Sequence, residues 1–232
     1  MMGIDKVTAI VLAGGSGKRM GGDCKKQYML LKGHPLLYYS LKAFQDSPVD
    51  EIILVTNEAS LCRNEIVEKY HMDKVTKIVP GGEERYESVY NGLLEAKDSD
   101  FVLIHDGARP FVTEEIILRC IGEVKIHEAC VVGMPVKDTV KIVDENGFAS
   151  YTPERKYVYL VQTPQAFSYP LILKAYQKVM KEQPPGITDD GMVVEYLQEK
   201  KVKLIDGSYQ NIKITTPEDY FTALAFLENK KE

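Results

Sequence analysis

Tryptophan is absent from this chain of 232 residues, and cysteine occurs only four times. Without tryptophan, the sequence offers no obvious aromatic platform on which single-stranded nucleic acid would stack. The cysteines, at positions 24, 62, 120 and 130, form no C-x-x-C pair, which argues against metal ligation and against a disulfide framework. We therefore expect a protein of the reducing cytoplasm whose own side chains form no metal site.

Long apolar runs and an excess of positive charge are missing as well. No run approaches the ~20 residues that a membrane-spanning helix needs. The first apolar run, at 7–13, is too short for a signal peptide. The net charge of −5 argues against nucleic acid or an anionic membrane as a partner, although it leaves room for a local basic pocket.

The composition that remains is that of an ordinary globular protein, with 44% hydrophobic and 27% charged residues. A chain of this length buries roughly 72% of its unfolded surface on folding, so its core needs no disulfide or metal to stabilise it. No internal repeat, low-complexity tract or linker divides the sequence. We predict one domain over residues 1–232.

Strand-like and helix-like segments alternate along most of the chain. Short apolar runs predict buried strands, and apolar residues at helical spacing between them predict helices. The predicted strands are 7–13, 51–56, 75–79, 100–105, 129–134, 157–161 and 202–205, and the predicted helices are 36–44, 59–71, 84–97, 171–181, 189–200 and those that begin near 113 and 216. This order predicts an α/β fold with a Rossmann-like, mostly parallel sheet that carries helices on both faces.

The alternation breaks once, at 137–155. Segments 137–143 and 148–152 flank Asn146 and Gly147, a dipeptide typical of hairpin turns. An isolated two-stranded ribbon is marginally stable at best, so this hairpin needs a surface to pack on. We predict a protruding β-arm that packs against the matching arm of a second copy in a homodimer.

A glycine-rich segment, residues 13–20, follows the first predicted strand. Its glycines let backbone N–H groups approach an anion, and its basic residues add positive charge. A P-loop would need glycine where Leu12 stands and serine or threonine where Arg19 stands, and the dinucleotide-binding fingerprint fails at Met20. A flexible strand-to-helix turn is the alternative interpretation.

The longer pattern around this segment is more specific. The run L-A-G-G-x-G-x-R-M at 12–20, followed by K-Q-Y at 26–28, resembles the signature of the sugar-phosphate nucleotidyltransferases. Further motifs resemble, in order, those of the polyol-phosphate cytidylyltransferases: G-G-E-E-R at 81–85, S-V-Y-N-G at 88–92, H-D-G-A-R-P at 105–110, K-D-T at 137–139, Arg155, Q-T-P-Q at 162–165, T-D-D at 188–190 and N-I-K-I-T at 211–215. The resemblance covers essentially the whole chain.

The resemblance implies a reaction between CTP and a polyol phosphate that releases pyrophosphate. The nucleophile would be a phosphate oxygen that is already ionised, so the chemistry needs no nucleophilic side chain and no general base. Catalysis then means positioning and electrostatic stabilisation. The implied cofactor is Mg²⁺, bound mainly through the CTP phosphates.

The resemblance also implies three groups of site residues. The catalytic cations would be Arg19, Lys26, Arg155 and Lys213. The nucleotide would be bound by Ala13, Gly14, Gly15, Gly17, Gly82, Glu83, Ser88, Asp106 and Gly107. The polyol phosphate would be bound by Asp106, Arg109, Thr139, Thr163 and Thr188. Asp106 would meet either the ribose or the metal, and Thr139 and Arg155 would enter the neighbouring subunit's site if the arm crosses a dimer.

Two branches of this family, and one non-enzymatic function, fit the sequence. The motifs S-V-Y-N-G at 88–92 and N-I-K at 211–213 favour the branch that acts on 2-C-methyl-D-erythritol 4-phosphate. The A-G-G at 13–15, where many members have A-A-G, also occurs in the ribitol-5-phosphate branch. A non-catalytic nucleotide-binding protein of the same fold is the third reading. Retention of Arg19, Lys26, Arg155 and Lys213 together favours an enzyme.

Overall fold

The computed structural model describes residues 5–14 and 28–229. Its strands are Val7–Leu12 (β1), Leu30–Leu31 (β2), His34–Pro35 (β3), Glu51–Val55 (β4), Val75–Val79 (β5), Phe101–Asp106 (β6), Ala129–Pro135 (β7), Ile142–Val143 (β8), Ala149–Tyr151 (β9), Tyr159–Ser168 (β10) and Lys203–Asp206 (β11). Its helices are Leu36–Gln45 (α1), Ala59–Cys62 (α2), Arg85–Glu95 (α3), Glu114–His127 (α4), Tyr169–Glu182 (α5), Asp190–Leu197 (α6) and Pro217–Asn229 (α7).

The main sheet has the order β11-β7-β10-β6-β1-β4-β5 within the described residues. Its strands run parallel except β10, which is antiparallel to both of its neighbours, β6 and β7. The prediction of a mostly parallel α/β sheet is therefore confirmed. The predicted strand at 157–161 is corrected, because β10 continues to Ser168 through the polar Q-T-P-Q segment.

Helices cover both faces of this sheet, as predicted. Successive side chains of β1 point to opposite faces: Ala9 and Val11 pack with α1 and α4, whereas Ile10 packs with α3, α5 and α6. Because every residue of β4 is also buried, the central strands read as continuous apolar runs rather than as alternating patterns. No helix within 5–14 and 28–229 is long and apolar enough to span a membrane.

One predicted helix is only partly an α-helix. The segment predicted as a helix over 59–71 begins as α2 and continues as a π-helix, Arg63–Glu68. Just beyond it, Met72 N–H donates to the carbonyl of Val67, five residues earlier, at 2.9 Å. A residue with φ of 52°, His71, closes it. The extra residue of a π-turn leaves the apolar spacing nearly helical, so the sequence pattern does not reveal it.

The predicted β-arm is present, with shorter strands than the sequence suggested. Strands β8 and β9 pair around a turn in which Asp144 Oδ1 accepts hydrogen bonds from the backbone N–H groups of Asn146 (3.0 Å) and Phe148 (2.9 Å). Gly147 takes a φ of 85°, which glycine adopts without strain. At the arm's base, the N–H of Val136 donates to the carbonyl of Val158 at 3.0 Å.

Candidate active site

A cleft of about 390 Å³ opens at the end of the sheet where β6 terminates. The carboxyl ends of parallel strands are the usual ligand-binding edge of such sheets. Its lining residues come from the first residue of α3, the end of β6 and the loop after it, the middle of β10, α6 and the residues just before it, and the segment after β11: Arg85, Asp106, Arg109, Val161, Gln162, Thr163, Gln165, Thr188, Asp189, Met192, Glu195 and Lys213.

The centre of the cleft is the carboxylate of Asp106, the last residue of β6. Its Oδ1 lies 3.3 Å from Arg85 Nε, and its Oδ2 lies 2.8 Å from Lys213 Nζ and 3.8 Å from Arg109 Nε. Burial alone would raise the pKa of Asp106, but Arg85 and Lys213 outweigh it and hold that pKa well below its usual range. Asp106 is therefore ionised at neutral pH.

A second carboxylate, Asp190, holds Arg85 from the opposite side. Arg85 donates from both terminal nitrogens to the two oxygens of Asp190, each at 2.8 Å. The hydroxyl of Tyr176 donates to Asp190 Oδ1 at 2.5 Å. Both Asp190 and Tyr176 have no exposed surface, so this ion pair is shielded from solvent on the side of α5 and α6.

Arg109 borders the cleft on the side of β10. Its Nη1 donates to the carbonyl of Asn211 at 2.8 Å and its Nη2 to the carbonyl of Val161 at 3.5 Å. Its Nε is buried and makes no hydrogen bond within the described part of the chain, and it lies 3.8 Å from Asp106 Oδ2. Arg109 Nε thus keeps an N–H that no acceptor among the described residues satisfies.

A buried histidine lies behind Asp106. His105 Nε2 is 3.2 Å from the carbonyl of Arg109, and its Nδ1 is 3.1 Å from the hydroxyl of Thr163. The same hydroxyl accepts the backbone N–H of Asp106 at 3.0 Å. Since a carbonyl only accepts, the proton belongs on Nε2, and Thr163 donates to Nδ1. Burial lowers the pKa of His105 to about 4, so the ring is neutral.

A glycine loop with a serine beside it lies next to the end of β1. A Cβ placed on Gly14 would come within 4.0 Å of Gly81 and of the Ser88 hydroxyl. The N–H of Gly82 donates to Ser88 Oγ at 3.0 Å, and the N–H of Glu83 donates to the carboxylate of Glu87 at 2.7 Å. These two N–H groups therefore donate to side chains of the first turn of α3, which holds the loop against that helix before any ligand arrives.

Comparisons with known proteins place the chain in one family. The family model described as 2-C-methyl-D-erythritol 4-phosphate cytidylyltransferase matches residues 7–229. The enzyme of that name from Lachnoclostridium phytofermentans is 51% identical over 231 residues, covering 99% of each chain. The one from Clostridium botulinum is 53% identical over 216 residues, covering 92% of this chain and 95% of its own. This chain belongs to that family.

A solved structure from the same family has the same fold. It is the 4-diphosphocytidyl-2C-methyl-D-erythritol synthase of Anaerococcus prevotii, 37% identical, with a TM-score of 0.86 and 97% of each chain covered. The chain is accordingly a cytidylyltransferase, a nucleotidyltransferase of isoprenoid biosynthesis, and the prediction of the methylerythritol branch rather than the ribitol branch is confirmed.

The predicted site residues of this cytidylyltransferase fall into four places. Those in the cleft are Asp106, Arg109, Thr163, Thr188 and Lys213. Those around the ends of β1 and β6 and the neighbouring glycine loop are Ala13, Gly14, Gly82, Glu83, Ser88 and Gly107. Those on the arm, exposed and away from the cleft of their own chain, are Thr139 and Arg155. Those outside the described residues are Gly15, Gly17, Arg19 and Lys26.

The sequence motifs contained two residues of this charge cluster to which no role was given, the cleft residue Arg85 and its buried partner Asp190. Both lie in segments that the family resemblance had singled out. Asp190 follows Asp189, and the pair reads as ordinary helix-capping acids; Asp189 is indeed the cap, accepting the N–H of Met192 at 2.9 Å. Nothing in local spacing shows that Asp190 instead points into the core, because its partner Arg85 is 105 residues away.

Proposed function

We propose that this protein transfers the cytidylyl group of CTP to 2-C-methyl-D-erythritol 4-phosphate with release of pyrophosphate. Family membership supports the reaction, and the observation that carries its location is the convergence of Arg85, Arg109 and Lys213 on Asp106. This cationic group lies at the end of the strand adjoining β1, so a triphosphate over the loop after β1 would bring its α-phosphorus toward a phosphate bound in the cleft.

The bond changes need no proton transfer by the protein. A phosphate oxygen of the polyol phosphate forms a bond to the α-phosphorus of CTP, and the bond from that phosphorus to the bridging β-phosphate oxygen breaks. Lys213 and Arg109 would hold the attacking phosphate, and Arg19 and Lys26 would neutralise charge at the α-phosphate. The barrier is lowered by alignment and by fixed positive charge.

The described titratable groups favour this direct displacement over a covalent intermediate. Burial raises the pKa of Cys130 to about 12 and also raises the pKa values of Cys62 and Cys120, so these three thiols are poor nucleophiles. The neutral His105 has both ring nitrogens engaged behind the cleft and is not available as a base.

Mg²⁺ would be held mainly by the triphosphate. In the described segments, no group of three or more His, Cys, Asp or Glu side chains is arranged to hold a metal ion. Asp106 lies at the carboxyl end of β6, where a metal ligand would be expected, but each of its oxygens already has a cationic partner. When bound, the ion would neutralise charge on the triphosphate and orient it.

The other side of the cleft suits the hydroxyl groups of the polyol. Thr188 and Asp189, just before α6, and Glu195, within α6, line it together with Thr163 of β10. Carboxylate and hydroxyl oxygens accept hydrogen bonds from alcohols, whereas the cations around Asp106 suit a phosphate. A ligand with an anionic head and a hydroxyl-bearing chain fits both.

The arm supports a homodimer with shared sites. Phe148 on the arm and Tyr157 just after it are 73% and 74% exposed, and Tyr151 of β9 and Leu160 of β10 are also exposed. Large apolar side chains that cluster on one surface mark interaction sites. Arg155, whose Nη1 donates to the carbonyl of Lys137 at 2.9 Å, lies at the base of this surface. Across a two-fold axis, it would complete the neighbour's cleft.

The reaction is tested by pyrophosphate release from CTP and Mg²⁺, with methylerythritol phosphate or ribitol-5-phosphate as acceptor. We expect turnover with the first and a kcat/KM lower by roughly tenfold or more with the second. Lys213→Ala should reduce kcat/KM by roughly 10²–10³. The matched control Lys174→Ala, which removes an exposed lysine of α5, should leave kcat/KM unchanged. CTP binding without turnover of either acceptor would support the non-catalytic alternative.

The shared site is tested by mixing and re-annealing Arg155→Ala and Lys213→Ala proteins. Random pairing makes about half of the dimers mixed, and one of the two sites in each would be intact, so recovery toward roughly a quarter of wild-type activity is expected. Absence of recovery, with mixed dimers shown to form, would place Arg155 outside the neighbour's site.

A further inference from the structure

Arg85 connects two parts of the molecule that the reaction must bring together. It is the first residue of α3 and directly follows the loop that contains Gly82, while its side chain extends into the cleft. Its three guanidinium nitrogens each donate to a carboxylate: two to Asp190 and one to Asp106. Three of the five N–H donors of Arg85 are therefore committed to carboxylates of the protein, which fixes the direction of the guanidinium before any substrate arrives.

The partners on the far side of Arg85 cannot touch a substrate. Asp190 and Tyr176 have no exposed surface, and the three hydrogen bonds that Asp190 accepts come from Arg85 and Tyr176. Desolvation cancels most of the Coulomb energy of a buried ion pair, so stability alone gives little reason for one here. A bidentate fork does, however, fix the plane and the direction of a guanidinium.

What that fixed guanidinium holds is the Asp106 carboxylate. Arg85 meets Oδ1, and Lys213 meets Oδ2, so a cation on each oxygen defines the rotation of the carboxylate. Lys213 lies on a segment without helix or strand, and its side chain is 34% exposed. Its ammonium group therefore takes its position from Asp106, which in turn takes its orientation from Arg85.

We propose that Arg85, clamped by Asp190 and Tyr176, is a positioning residue for cytidylyl transfer: it orients Asp106 and, through Asp106, sets Lys213 for the incoming polyol phosphate. The proposal rests on the proposed function in that Lys213 is taken to meet that phosphate. We call Arg85 with its partners Asp190, Tyr176 and Asp106 the clamp; these residues belong to α3, α6, α5 and β6. Because Arg85 directly follows the loop that contains Gly82, the clamp also fixes that loop relative to the cleft.

The test compares two tyrosine variants. Tyr176→Phe removes one hydrogen bond to Asp190 and keeps the buried ring. Its matched control is Tyr196→Phe, which removes a tyrosine–carboxylate hydrogen bond of the same length, 2.5 Å, to exposed Glu182 on the same two helices. We expect Tyr176→Phe to lower kcat about tenfold with the KM for CTP unchanged, and the control to match wild type.

A charge-preserving variant completes the cycle. Arg85→Lys keeps the positive charge but loses the fork, and we expect a roughly 10²-fold loss of kcat. Adding Tyr176→Phe to it should cause no further loss, because Tyr176 acts through Arg85. A further tenfold loss in the double variant would show that Tyr176 acts elsewhere. A raised KM for the polyol phosphate at unchanged kcat would make Arg85 a direct ligand.

A readout that needs no turnover separates this proposal from the reaction itself. Labelling of Lys213 by acetic anhydride, followed by peptide mass spectrometry, should be several-fold faster in Tyr176→Phe than in wild type or Tyr196→Phe. If the wild-type protein does not turn over methylerythritol phosphate, the proposed function alone is overturned. Unchanged labelling and kinetics in folded Tyr176→Phe and Arg85→Lys, with melting temperatures confirming the fold, would overturn the clamp.

Discussion

The neutral state of His105 should make the stability of this protein depend on pH in a defined window. In the unfolded chain, a histidine has a pKa of about 6.5. In the folded protein, burial lowers the pKa of His105 to about 4. Between these values the unfolded state binds one more proton than the folded state, so the free energy of unfolding falls as pH falls from 6.5 toward 4.

The magnitude follows from the proton difference. One proton changes the free energy of unfolding by about 1.4 kcal/mol per pH unit, so the loss between pH 7.5 and pH 5 should be about 2 kcal/mol. Asp106, Glu51 and Asp219 all have lowered pKa values as well, but carboxylates act near and below pH 4.5. The window above pH 5 therefore isolates the histidine.

The assay is urea unfolding at pH 7.5 and pH 5.0 for wild type and His105→Asn. The variant removes the titrating ring and keeps an acceptor near the position of Nδ1, where the Thr163 hydroxyl donates. It should be less stable than wild type at both pH values, because it leaves a cavity, but it should lack the loss of about 2 kcal/mol. An equal loss in the variant, or an NMR titration of His105 near pH 6.5, would refute the reasoning.

Two glycines near the site provide further tests, with Gly122→Ala as their common control. A Cβ on Gly107 would lie 2.9 Å from the backbone carbonyl of Leu12, which cannot move away cheaply, so Gly107→Ala should cost about 1–3 kcal/mol in chemical unfolding. A Cβ on Gly82 would lie 2.3 Å from Cβ of Glu87, so Gly82→Ala should displace the loop and raise the KM for CTP severalfold more than that for the polyol phosphate. Gly122 has open space around it within α4, and its replacement should be neutral or stabilising by up to ~1 kcal/mol. Equal behaviour of all three variants would contradict both expectations.

The sequence predicted the parallel strands because burial on both faces leaves an unmistakable pattern. Strands β1 and β4 are nearly all apolar, and glycine or polar residues end them. The antiparallel strand β10 was only partly predicted, because its second half contains Gln162 and Gln165. Both are buried and satisfied by distant partners, among them the Ser208 carbonyl at 2.7 Å and Asp189 at 2.9 Å. Hydropathy cannot distinguish such a strand from a loop.

The sequence predicted those residues of the candidate site that lie in recognisable motifs, but it did not predict how they pair. Asp106, Arg109 and Lys213 were each named from their motifs, and the structure brings them together. No motif indicates which of these side chains pair with one another. Arg85 and Asp190 carry the bidentate pair, and their separation along the chain leaves no periodicity that could show it.

The negative charge of Asp106 would repel a phosphate that enters the cleft. We therefore expect the carboxylate to serve the protein while no phosphate is bound, by neutralising the cations around it. Without Asp106, the cations Arg85, Arg109 and Lys213 would repel one another, and at an effective dielectric constant of 20 two unit charges 4 Å apart cost about 4 kcal/mol. Asp106 keeps them together in the free enzyme. On the proposed function, an arriving phosphate would compete for Lys213, which is partly exposed and pairs with one oxygen of Asp106 in the described part of the chain. It would compete less well for Arg85, which is held by a fork to wholly buried Asp190. The proposal therefore assigns one cation that transfers to the substrate and one that stays fixed while it does so.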